Sequence, residues 1–212
     1  MLNISVILLL AYNYLDLKCS LHLCEAPGAF VVALAIYLKL HVSEVHWSWR
    51  ANSLNPYYEW NEPTNMILDD TLIAKSYAKW LFGPDNSGNI FNWTQNYLDY
   101  IVCKTGKFHL ITADGSFNCQ VNSSILMLFK FSLILTIQIA LDLLRPNGSF
   151  VIKMYTIYRK ETVETIFDLF TSFERLYMFK PSSSKPGNPE VSLIFYFDQC
   201  LKIIFFLNLS FF

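Results

Sequence analysis

Three charged residues stand where short apolar runs end: Glu25 after Ser20–Cys24, Asp114 after Lys107–Ala113, and Lys153 within Ser149–Met154. A carboxylate beside an amine can orient a proton or help withdraw one from a hydroxyl, which is general acid–base chemistry. In an open α/β sheet, ligands bind off the carboxyl ends of the strands, where the strand order reverses. All three residues are therefore expected to face one crevice. Charged residues are only 16% of the chain, so three of them at neighbouring strand ends are poorly explained by solvation alone.

The segment Cys24-Glu25-Ala26-Pro27-Gly28-Ala29-Phe30 sharpens that expectation. Small residues, a proline and a glycine after a strand let backbone come close to a ligand while the next helix offers its N-terminal N–H groups. The pattern is not G-x-G-x-x-G and no Walker lysine follows, which disfavours NAD and ATP. A ligand bearing a carboxylate or a ribose suits the turn better. The five cysteines and four histidines share no metal-ligand spacing, so neither a metal site nor a disulfide framework is expected.

The elements that must position these residues follow from periodicity. Strands are predicted at Ser20–Glu25, Glu44–Arg50 (with Trp47 and Trp49 at period two), Lys107–Ala113, Ser149–Met154, Leu176–Phe179 and Val191–Phe197. Helices are predicted at Phe30–Leu40, Asp70–Leu81, Ile125–Leu144 and Glu161–Phe173, the last from Val163, Ile166, Phe167 and Phe170 at i, i+3, i+4 and i+7. Arg145-Pro146-Asn147-Gly148 reads as the turn that ends the long helix. Alternating strands and helices predict an α/β fold with a mainly parallel sheet covered on both faces. The short link between the last two strands predicts an antiparallel terminal hairpin.

The 212 residues suffice for one domain with its own core, and 53% apolar content excludes general disorder. A net charge of −1 means that any RNA binding must be local. The apolar stretch Ile125–Leu144 carries Lys130, Gln138 and Asp142. Such charges are costly in a bilayer, so it reads as a buried helix and no membrane span is expected.

The same motifs carry a resemblance. Glu25–Phe30, Thr112-Ala113-Asp114-Gly115-Ser116-Phe117, Gly148–Met154 and Lys180–Glu190 resemble the FtsJ-type 2′-O-ribose methyltransferases. His46–Trp49, Ala51–Tyr57 and Phe82–Gly88 are similar to the cap-specific mRNA branch of that family. The resemblance implies a Rossmann-like fold and S-adenosyl-L-methionine as cofactor. It further implies methyl transfer to the ribose 2′-hydroxyl of the second transcribed nucleotide of capped mRNA. Its Lys-Asp-Lys-Glu tetrad would place Asp114, Lys153 and Glu190 in the last three positions, with Lys153 as base. Ala26, Pro27 and Gly28 would meet the methionine part of the donor beside Asp114. Trp47, taken to close the second strand, would meet the adenosine, and Asn89 would stand where the family has an acid near the adenine. Arg159, Lys160, Lys180 and Lys185 would contact RNA. The nucleus and cytoplasm are the compartments implied.

Four features depart from the pattern. The first tetrad lysine should lie on a helix well upstream, whereas only Lys18 precedes Glu25, directly before the strand. The segment Gln120–Ser124 is shorter than the family's linker, and the second, catalytically silent domain of the larger family member is not found. The apolar ends match nothing in the family, which divides the chain into a poorly matched 1–19, a methyltransferase domain at 20–198 and an apolar tail at 199–212. A truncated or imperfectly spliced copy accounts for all four. The competing expectation is a catalytically silent module that binds S-adenosylmethionine or capped RNA without turnover.

Overall fold

The computed structural model describes residues 17–42, 45–62, 68–114, 123–154, 157, 160–180 and 190–196. Six strands form one sheet: β1 (Cys19–Leu23), β2 (Ser48–Ala51), β3 (Phe108–Ala113), β4 (Leu144–Met154), β5 (Arg175–Phe179) and β6 (Val191–Tyr196), in the order β2-β1-β3-β4-β6-β5. The first four strands are mutually parallel, and β6 lies antiparallel between β4 and β5. The expected hairpin is present. The chain leaves β1 to form β2 on one side, then returns to form β3 on the other. The strand order therefore reverses between β1 and β3, and the crevice belongs at their carboxyl ends.

Alternation along the strands sends side chains to two cores. Leu21, Leu23, Ile111, Phe150, Ile152, Leu193 and Phe195 join the larger one. Its helical wall comes from α3 (Gln95–Thr105), α4 (Ser123–Leu143) and α5 (Lys160–Phe170). Leu110, Val151 and Ile194 face the other way, onto Phe30, Leu34, Tyr37 and Leu38 of α1 (Ala29–His41). Among the described residues no helix is long and apolar enough to cross a membrane.

The α1 side of the sheet also carries a buried polar chain. Trp47 Nε1 donates to Ser20 Oγ at 2.9 Å, Ser20 Oγ meets His22 Nε2 at 2.8 Å, and His22 Nδ1 meets Thr112 Oγ1 at 2.8 Å. Because the indole already donates to Ser20, the serine proton is free to go to Nε2. That leaves Nδ1–H as the donor to threonine. Burial holds the imidazole neutral, with its pKa lowered to about 3.

Several elements differ from the sequence expectation. The helix expected over 70–81 is only α2 (Thr71–Lys75), followed by a 3-10 turn at Tyr77–Lys79. Ser76 breaks it: its hydroxyl donates to Leu72 O and accepts from Trp80 Nε1, competing with the helical ladder. Trp80 then bridges to Ala51 of β2. Strand β4 begins at Leu144 rather than Ser149, because Arg145–Gly148 bulges between the pairs Phe108–Leu144 and Leu110–Ser149, with Asn147 left-handed at φ 62°. In α5 the expected apolar stripe holds in part: Ile166 and Phe170 pack against the larger core, whereas Val163 and Phe167 are exposed, and Thr162 and Leu169, with Phe173 beyond the helix, are buried. Helix α3 was not expected; Thr94 caps it and Gly106, at φ 71°, ends it.

His22 remains neutral in the fold, so the stability it contributes is complete above about pH 6.5 and is lost as the pH falls through about 3. Urea midpoints measured across that window should fall more steeply for the native chain than for His22→Asn, which has no proton to take up.

Candidate active site

Register and pleat bring the site together. Ala113 pairs with Ile152 in parallel, so the next residue along each strand, Asp114 and Lys153, are neighbours on the α1 side of the sheet. Lys153 pairs with Ser192 of antiparallel β6, and Glu190, two residues earlier, shares its face. Lys153 Nζ lies 2.9 Å from Asp114 Oδ1 and 3.4 Å from Glu190 Oε1. All three side chains are about one-fifth exposed, at 18%, 23% and 20%. The ammonium is thus clamped between two carboxylates but reachable from solvent. Asp114 N also donates to Leu23 O, tying the end of β3 to that of β1.

The turn after β1 completes the crevice. Cys24 is left-handed at φ 54° and turns the chain so that Glu25 is directed inward. Glu25 is 2% exposed. Its Oε1 accepts from Phe30 N at 2.6 Å and Val31 N at 3.0 Å, satisfying two of the free donors that open α1. Its Oε2 is buried with no partner among the described residues. Burial, opposed by the two N–H bonds and reinforced by the Asp114 charge, raises the carboxyl pKa to about 8. Burial, with the charges of Asp114 and Glu25, raises the Cys24 thiol to about 12, so it is no nucleophile.

Ala26 and Pro27 are joined by a cis bond, and Gly28 N donates to Glu25 O at 2.8 Å. Gly28 sits at φ +115°, and a Cβ there would collide with the Leu72 side chain of α2. Both facts require glycine. These three residues therefore lie where the sequence placed them, in the turn between β1 and α1.

Trp47 is not at this end. It precedes β2, whose first residue Ser48 pairs with Cys19, so Trp47 stands at the amino end of the sheet with its indole N–H committed to Ser20. The expectation that it closes the second strand is corrected: β2 starts one residue after it and ends at Ala51. The carboxyl end of β2 carries Asn52 instead, buried at 1% exposure. Asn52 Nδ2 donates to Leu81 O and Gly88 O, both at 2.9 Å, and so pins the 81–89 loop beside the crevice. Gly88 permits this at φ +80°, where a Cβ would overlap the Ser53 carbonyl. Asn89 follows it, half-buried, with Oδ1 accepting from Phe91 N at 3.0 Å. Asn52 was missed because the predicted strand stopped at Arg50; only its place after the small Ala51 could have marked it.

Lys18 precedes β1, its carbonyl accepting from Ser48 N. It therefore lies at the opposite end of the sheet from Asp114, roughly 20 Å away at about 3.3 Å per residue of strand. Lys180 reaches Glu190 O at 3.3 Å, whereas Lys160 pairs with Glu164 on the surface. Arg159 and Lys185 lie outside the described residues. Among the described residues no group of His, Cys, Asp and Glu is arranged to hold a metal ion.

A parallel sheet with an antiparallel strand inserted before its edge, a glycine turn after β1 and an acid–amine cluster across β3, β4 and β6 define a Rossmann-like methyltransferase fold. Two solved structures share it. A ribosomal RNA methyltransferase of Plasmodium falciparum has a TM-score of 0.52 at 18% identity, covering 91% of this chain and 94% of that one. A class I S-adenosylmethionine-dependent methyltransferase of Listeria monocytogenes has a TM-score of 0.53 at 12% identity, covering 93% and 60%. The chain belongs to the FtsJ-like methyltransferase family, whose model matches residues 8–196. Among curated relatives it is similar to cap-specific mRNA (nucleoside-2′-O-)-methyltransferase 2 of Pongo abelii, at 44% identity over 180 residues, and of Mus musculus, at 45% over 182. The enzyme of that name from Drosophila melanogaster is 38% identical over 186 residues. In each case 82% of this chain is covered, but only 23%, 23% and 26% of the relative, so the chain spans about a quarter of their length.

Glu25 keeps its proton in the folded chain. The stability this contributes is complete below about pH 4.5 and is lost as the pH rises through about 8. Glu25→Gln retains the acceptor for Phe30 and Val31 but cannot ionise. Measured against Glu25→Gln, which shares every other titrating group, the native chain's urea midpoint should lose ground as the pH rises across that window.

Proposed function

We propose that this chain is the catalytic module of a cap 2′-O-methyltransferase, moving a methyl group from S-adenosyl-L-methionine to the ribose 2′-hydroxyl of the second transcribed nucleotide of capped mRNA. The observation that carries this reading is the Asp114–Lys153–Glu190 cluster at the strand-order reversal, in a chain about 44% identical to enzymes of that name. The donor supplies an electrophilic methyl carbon on a sulfonium. The residues present fit it: a glycine turn, a helix N-terminus and a buried carboxyl oxygen lacking a partner converge at one crevice.

In this reading Ala26, Pro27 and Gly28 offer close backbone to the amino-acid part of the donor. Asn52 and Asn89 stand on the β2 side, where the adenosine would lie. Asp114 fixes Lys153 and faces the donor. A ribose hydroxyl is a poor nucleophile until its proton is drawn away, and Lys153 Nζ, once its ammonium has given up a proton to solvent, is the amine placed to accept the hydroxyl's hydrogen bond and proton. Glu190 holds the amine from the other side, so that it does not turn away as its charge changes. Lys180, already at the Glu190 backbone, is placed for an RNA phosphate at the rim.

One observation favours a second reading, a module that binds the donor without turnover. The upstream lysine expected to help orient the hydroxyl has no counterpart in Lys18, which stands at the far end of the sheet.

Labelled methyl transfer to RNA capped and already methylated on its first nucleotide separates the two. The native chain should label the second nucleotide, and Lys153→Ala should lose about 10²-fold or more, the usual range for a removed base. Equal incorporation by both removes Lys153 from its role. Donor binding without transfer by the native chain supports the silent module.

A further inference from the structure

The proposed reaction uses Asp114, Lys153 and Glu190 and leaves one buried acid of the crevice without a task. Glu25 spends Oε1 on the first turn of α1, while Oε2 is buried with no hydrogen-bond partner among the described residues. A buried acceptor left unpaired is costly and is normally satisfied by protein, water or ligand. The capping alone does not require glutamate, since an amide oxygen serves equally well for two N–H donors. The second oxygen therefore calls for its own explanation. It sits in the turn that lines the crevice, next to Cys24 in the chain, and it feels the charges of Asp114 from β3 and Lys153 from β4.

We propose that Glu25 is a binding residue for the methyl donor, its free Oε2 receiving the α-ammonium group of the donor's amino-acid part. This rests on the donor reading above. A cation suits the site better than an anion, because two carboxylates hold the single amine of the cluster and Glu25 adds a third acidic group within reach of the Asp114 charge. The ammonium supplies the missing hydrogen bond and the counter-charge together. Glu25 then binds as the carboxylate, and the proton it carries in the ligand-free chain passes to the buffer.

Calorimetry of S-adenosylmethionine binding to the intact chain at about pH 7, repeated in buffers of different ionisation enthalpy, counts that proton. The native chain should release close to one proton per donor bound. Methylthioadenosine, which keeps the adenosine and thioether but lacks the ammonium, should bind without release. Glu25→Gln should bind the donor about tenfold or more weakly, the scale of one charge-assisted hydrogen bond, and release none. Donor binding by the native chain without proton release, or with equal release on binding methylthioadenosine, overturns the role of Glu25 and leaves the methyltransferase reading standing. No binding of the donor at all overturns both. The native-chain measurements decide the matter even if the variant fails to fold.

Discussion

A lysine held between two carboxylates is the interaction on which the crevice depends, and strand register is what creates it. Asp114 and Lys153 are thirty-nine residues apart by their numbers, yet parallel pairing of Ala113 with Ile152 makes them neighbours. The antiparallel strand β6 enters beside β4 and delivers Glu190 from the other direction. A one-residue slip in either pairing would send one member of the cluster to the opposite face of the sheet. Removing one partner from such a partly buried cluster leaves the others uncompensated, so the three residues are physically a unit rather than independent sites.

The cluster is the open end of a longer polar seam. Ser20, His22 and Thr112 share the α1 side of the sheet with Asp114 and Lys153, because each is an even number of residues from the next along its own strand. Apolar side chains fill most of the opposite side, interrupted by Arg50, which pairs with Leu21, and by His109, which meets Cys19 Sγ at 3.2 Å. Buried polar groups are tolerated when each finds a partner. In this seam the partners run from the Trp47 indole through serine and imidazole to threonine. Trp47 therefore belongs to the amino-end anchor of the seam. The same face that could have been sealed with aliphatic residues instead fixes the relative height of β1, β2 and β3, and with it the level at which Glu25 and Asp114 emerge.

Much of this was legible in the sequence. Strand ends marked by a charge after an apolar run identified Glu25, Asp114 and Lys153, and the short final link implied the hairpin. The failures have physical causes. Trp47 and Trp49 alternate as a strand would, but alternation cannot say where backbone pairing begins, and β2 begins at Ser48. Helix α5 shows the same limit: Val163, Ile166, Phe167 and Phe170 all satisfy helical spacing, yet Ile166 and Phe170 pack on the core beside Leu169 and Phe173 while Val163 and Phe167 are exposed. Helix α3 mixes its apolar residues with Gln95, Asn96, Asp99 and Lys104 and buries Leu98 and Ile101, so its cap at Thr94 and stop at Gly106 were stronger signals than its periodicity. Asn52 and Gly88 were unreadable as a pair because only the fold brings the 81–89 loop onto the end of β2.

Under the proposed function, charge would assign the two reaction partners to different parts of the surface. Around the turn after β1, Glu25, Asp114 and Glu190 face a single amine, and Glu25 avoids part of that repulsion by keeping its proton. A cationic ligand relieves what remains, whereas a phosphate placed at the same depth would add to it. Under the proposed function the RNA backbone would stay at the rim, where Lys180 stands exposed beside Glu190. From there a ribose hydroxyl would reach Lys153 without its phosphates entering the acidic floor. That division would need no overall positive charge, so a net charge of −1 is compatible with the proposed nucleic-acid substrate. Recognition of the polymer would be local and peripheral, and the depth of the crevice would take a small cation.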